Sequence, residues 1–119
     1  MGYMRHHAII VTGWNRELVL TVREHAVDIF SGHCSVSPII SSHMNGYESF
    51  FIAPDGSKEG WTDSNCADTA RGLFVAYLNA QRYPDNSSSL SWVCVQYGDD
   101  EGLTAIVADS DEYKRARHP

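Results

Sequence analysis

Two stretches of helical apolar periodicity, each set between short β-type runs, constrain this chain more than any other feature. From Arg16 to Phe30, apolar residues fall at 18, 19, 22, 26, 29 and 30. That stripe follows one face of a helix with 3.6 residues per turn. Asn15 stands where an N-cap belongs, and Gly32 stands where a left-handed residue ends a helix. The second stretch predicts a helix from about Cys66 to Arg82, with an inward stripe of Ala70, Leu73, Phe74, Tyr77 and Leu78.

The segments around these helices read as strands. His7 to Thr12 is a short, continuous apolar run of the kind buried on both sides or nearly so. Val36 to Ser41 is strand-like but contains Pro38, which places it at a sheet edge or a bulge. Asn45-Gly46 accepts the positive φ of a hairpin turn, and Tyr47 to Ala53 is the partner strand. Leu90 to Tyr97 alternates, with Leu90, Trp92 and Cys94 on one face and Val93, Val95 and Tyr97 on the other. Leu103 to Ala108 is a final strand after the acidic turn 98–102. The order β-α-β-β-α-β-β predicts an α+β, ferredoxin-like antiparallel sheet, with an extra C-terminal hairpin strand and both helices on one face. The expected core holds Ile9, Val11, Leu18, Val22, Ile29, Phe50, Leu73, Phe74, Leu78 and Trp92.

A chain of 119 residues makes one domain, 1–119, and buries roughly two thirds of the surface its unfolded form exposes. Residues 1–5 and 112–119 are expected to fray. The opening MGYMRHH, with a second possible start at Met4, is left out of the fold reading. A formal charge of −6 disfavours a partner that is a phosphate backbone. No run reaches the ~18 apolar residues of a membrane span. Three cysteines cannot all pair within one chain, so free thiols in a reducing cytoplasm are the simpler reading.

Right-handed crossovers bring the start of the first strand, the Pro54–Asn65 loop, the second helix's N-terminus and the 97–102 turn to one end of the sheet. The candidate binding residues there are Lys58, Trp61, Asp63, Ser64, Asn65 and Tyr97. Trp61 stands out as a large aromatic among charges. Ser64 or Asn65 is the expected helix cap, and the free N–H groups of that helix end are suited to an anion. Cys66, in the expected first turn, is the one thiol a helix dipole would activate.

No catalytic or cofactor motif accompanies the loop, so no catalytic residue, cofactor or metal is assigned. There is no Gly-rich phosphate loop, no metal-ligand spacing of Cys and His, and only one H-x-S element, His33-Cys34-Ser35. Were the chain an enzyme, His7 with Asp63 or Asp99 would be the acid–base candidates of a small phosphoester hydrolase. An RNA-binding module is a further alternative, since 46–52, GYESFFI, loosely echoes an aromatic RNA-binding strand, though without its basic residue.

The strings HHAIIVTGW, VSPII, NGYESFFIAPDGSKEGW and SWVCVQYGDDEG resemble a family of small uncharacterised bacteriophage and prophage proteins, over about His6 to Asp111. The resemblance implies the cytoplasm of a bacterial host as the setting. It points to a non-enzymatic binding protein, an antagonist of a host or defence factor that acts on a protein or on a small anionic, nucleotide-like ligand. A homodimer through an open sheet edge is the expected assembly.

Overall fold

The computed structural model describes residues 3–85, 87–112 and 115. Seven elements follow in order. They are β1 (His6–Gly13), α1 (Arg16–Phe30), β2 (Ile40–Ser41), β3 (Glu48–Ile52), α2 (Thr62–Ala80), β4 (Ser91–Tyr97) and β5 (Ala105–Asp109). The sheet order is β2-β3-β1-β4-β5, and every neighbouring pair is antiparallel. The first six elements form the ferredoxin-like unit, and β5 extends the sheet beside β4. The fraying expected of residues 112–119 falls largely on residues outside those described.

Each element has a local cause. Asn15 caps α1 by accepting from the backbone N–H of Leu18 at 3.2 Å. Gly32, at φ 79°, lets the chain turn away after the last helical turn. Asn45 and Gly46 both take φ 66°, the left-handed pair a tight hairpin needs. The edge strand is shorter than the alternation of Val36 to Ser41 implies. Pro38 lacks an N–H to give the ladder, so pairing survives only as the bridge Val36–Ile52 and at Ile40–Ser41.

The core lies between the sheet and both helices. Ile9, Val11, Phe50, Ile52, Trp92 and Cys94 meet Val19, Val22, Phe30, Phe74 and Leu78. Leu18 and Ile29 pack against its margin. Leu73 corrects the expectation, because it is 60% exposed. Helix α2 turns Ala67, Ala70, Arg71, Phe74 and Leu78 inward instead. The helix also begins a turn earlier than Cys66, at Thr62. Trp61 occupies the N-cap position and makes no side-chain cap bond.

Gly13 ends β1 where Val19 and Leu90 close in. A Cβ there would stand 2.7 Å from Val19 Cγ2 and 2.8 Å from Leu90 Cδ2. Both contacts are core side chains with little room to withdraw. Gly13→Ala should therefore destabilise the protein by about 1–3 kcal/mol through overpacking. A urea midpoint equal to that of wild type would show that this corner has slack.

Candidate functional site

The loop end of the sheet is organised around Arg71, a residue that the apolar periodicity of α2 gave no reason to place inside. It is 5% exposed. Its Nη1 donates to Asp55 Oδ1 at 3.3 Å and its Nη2 to Asp68 Oδ1 at 2.5 Å. Nη1 also lies 4.0 Å from Cys34 Sγ. One guanidinium thus ties the β3–α2 loop, helix α2 and the segment after α1 together. Burial opposes its charge, but the carboxylates of Asp68 and Asp55 outweigh burial and hold its pKa above the ordinary value.

Asp55 is held from both sides. Burial pushes its carboxyl up, but the Ser57 hydroxyl and Arg71 outweigh that, and the carboxyl titrates below its ordinary range. The Ser57 backbone N–H donates to the same carboxylate at 3.3 Å. Burial pushes the Cys34 thiol up, and Arg71 only partly offsets it. Cys34 is therefore a neutral thiol here and not an activated nucleophile. Cys94, buried in the core, is shifted the same way by burial.

His7 comes off β1 on the helix-covered face. Burial, followed by Arg71, lowers its pKa against the pull of Asp68 and Glu59. Its Nδ1 lies 3.9 Å from Glu59 Oε1, beyond hydrogen-bonding distance. Glu59 is placed by its own backbone N–H, which donates to the Tyr3 carbonyl at 2.8 Å. Within the segment 1–5, Tyr3 and Arg5 are thus held, the latter against Asp99 at 3.4 Å.

The predicted site residues divide. Trp61 and Asp63 line a shallow hollow of about 360 Å³, with Gly32, His33, Asp55, Gly56 and Ser57. Trp61 is 49% exposed, so it does not fold back into the core. Lys58 is exposed nearby, and its carbonyl accepts from the Trp61 N–H at 3.2 Å. Ser64 and Asn65 correct the cap expectation. Ser64 is buried within the first turns of α2, and Asn65 is exposed, its carbonyl accepting from Thr69 Oγ1 at 3.0 Å. Cys66 is exposed a full turn inside the helix.

Tyr97 lies on the other face of the sheet, its ring 5.4 Å from that of His6. Asp99 is committed to Arg5 and to the N–H of Leu103 at 2.7 Å. The bond from Leu103, more than that from Arg5, holds its carboxyl below the ordinary range. The nearest carboxylate to His7 that forms an ion-pair contact is Glu59, rather than Asp63 or Asp99. Among the described residues no three His, Cys, Asp or Glu side chains gather as metal ligands, and no helix is long and apolar enough to cross a membrane.

No protein-family model matches the chain, and neither does any curated protein or solved structure compared with it.

Arg71→Leu leaves Asp55 charged and nearly buried, and should cost about 3 kcal/mol or more. Asp68→Asn removes a partner that is half exposed and should cost less than about 1 kcal/mol. Denaturant titration of the two variants tests that order, and equal losses would remove Arg71 from its central place. For His7 the folded pKa lies below the unfolded value of about 6.5. As pH falls the unfolded chain takes up the proton first, so stability is full above that value and declines from there towards the folded pKa. Asp55 acts in a lower window, because its contribution is full above the unfolded carboxyl value of about 3.9 and is lost as pH falls from there through its depressed folded value. The loss between pH 7 and 5 should shrink in His7→Gln, and an unchanged slope would assign it to other groups.

Proposed function

We propose that this chain is a non-enzymatic binding protein that engages a protein partner through the loop end of its sheet, with Trp61 as the anchor. The observation that carries this reading is a half-exposed Trp lining a hollow together with Asp55, which Arg71 holds in an ion pair. An aromatic on a braced loop loses little conformational freedom on binding, which is how a few residues come to dominate an interface.

Of the two ligand classes considered, the geometry favours the protein. Arg71 is already neutralised by two carboxylates, and Asp63 adds negative charge to the lining of the hollow. Lys58 alone is a weak basis for holding a phosphate. A hydrolase is less well supported, because His7 contacts neither Asp63 nor Asp99 as an ion pair. The phage antagonist, acting on a host or defence factor in the bacterial cytoplasm, is the setting the string resemblance suggests. Three free cysteines agree with a reducing compartment.

The test is to capture partners from a bacterial lysate and measure the affinity of the one enriched. Trp61→Ala should weaken that affinity at least about tenfold, an effect typical of an interface anchor. Its stability should stay within about 0.5 kcal/mol of wild type. Lys58→Glu should weaken binding less. Retained affinity in both variants would move the contact surface elsewhere, and calorimetric binding of a nucleotide would favour the small anionic ligand.

A further inference from the structure

The hollow at the loop end is small, and its charge is one-sided. At about 360 Å³ it stands at the low end of the roughly 300–1,000 Å³ of ligand pockets, which suits one side chain better than a cofactor. Gly32 and Gly56 belong to its lining. A Cβ built on either meets nothing within 4 Å, so the space above both residues is open.

Its two carboxylates are not equivalent. Asp55 is committed inside the protein: its Oδ1 accepts from Arg71, and its Oδ2 accepts from the backbone N–H and the hydroxyl of Ser57. Asp63 is exposed, and among the described residues it has no ion-pair partner. The lining holds no lysine or arginine, and Lys58 stands outside it. Asp55, Asp63 and Asp68 are set against the single guanidinium of Arg71. The N-terminus of α2 opposes that excess with about half a positive charge, which is too little to reverse it.

We propose that the hollow receives an arginine side chain of the protein partner, paired with Asp63 and packed against Trp61. The proposal deepens the binding role given above and rests on it. Trp61 is 49% exposed, so about half of it stays accessible to a ligand, and an indole attracts a cation through its ring quadrupole. Asp63 supplies a free carboxylate in the same lining. A guanidinium answers both groups at once. It is planar, so it can lie against an aromatic ring while the N–H groups at its edge donate to a carboxylate. It is also more weakly hydrated than an ammonium, so entering the hollow costs less. The net charge of −6 acts in the same direction, drawing a basic surface towards the chain over a longer range.

The probes are two blocked tripeptides, acetyl-Gly-Arg-Gly-amide and its citrulline counterpart, which keeps the shape and loses the charge. Binding is followed through the indole N–H signal of Trp61 in a two-dimensional NMR titration, assigned by its loss in Trp61→Ala. The arginine peptide should shift that signal saturably, and the citrulline peptide should bind at least about tenfold more weakly. Asp63→Asn should weaken the arginine peptide by about tenfold, since it removes a charge-assisted pair. Asp100→Asn, an exposed carboxylate of the β4–β5 turn, should leave binding unchanged. Circular dichroism checks the fold of each variant. The citrulline comparison is made on the wild-type chain, so it decides the matter even if Asp63→Asn fails to fold.

The absence of a saturable shift at about 10 mM peptide overturns the proposal. So does equal binding of the two peptides, or an Asp63→Asn variant that binds as wild type does. A partner captured from a lysate that loses affinity in Trp61→Ala but not in Asp63→Asn overturns this assignment alone and leaves the wider binding role standing.

Discussion

The burial of one guanidinium shapes the loop end of this molecule. Arg71 sits on the inward stripe of α2, where a neutral residue would ordinarily pack, and its charge must be answered inside the protein. Asp55 and Asp68 answer it, and Cys34 Sγ lies against the same group. The rotation of α2 follows, because a helix that turns Arg71 inward must turn Leu73 out. The course of the β3–α2 loop follows as well, since Asp55 has to reach the helix. A pair of this kind adds little net stability over an apolar replacement but leaves few alternative arrangements. The contact ties the β3–α2 loop to the helix that follows it, as the proposed binding role of Trp61 needs.

The opposite end of the sheet uses the same device. Glu48 is buried at the start of β3, accepting from Arg16 Nη1 at 3.0 Å and Ser41 Oγ at 2.7 Å. That carboxylate joins the first turn of α1 to the β2–β3 hairpin. An apolar layer between two ion pairs is therefore held at both ends, and the direction of each helix over the sheet is specified more closely than ridge-and-groove packing alone would require. Phe30 and Phe74, ring centroids 5.6 Å apart and edge to face, fill the space between the helices.

Much of the fold was legible in the residues. Helix α1 was bounded by Asn15 and Gly32, whose roles are local. The Asn45-Gly46 turn and the two faces of β4 likewise depend on a few neighbouring residues. The site was legible only in part. Trp61 and Asp63 were expected at the loop end and line its hollow, but Tyr97 faces the other side of the sheet and Ser64 is buried. Arg71 was missed, because an arginine among Ala, Phe and Leu normally marks the exposed edge of a helix. The one signal was the i,i+3 spacing of Asp68 and Arg71, which reads equally well as a surface pair. Glu48 was missed because a carboxylate at the start of a strand normally marks its solvated end.

Periodicity along the chain determined the order and type of the elements, because 3.6 and 2.0 residues are distances set by the backbone itself. The apolar character of β1 on both faces was also in the sequence, in HAIIVT. What only the tertiary structure decided was which residues meet across the chain. Asp55 reaches Arg71 over 16 positions and Glu48 reaches Arg16 over 32. Such pairs depend on the relative placement of whole elements, and no local pattern records them. The same holds for the placement of α1 and α2 on one side of the sheet, which both crossovers decide.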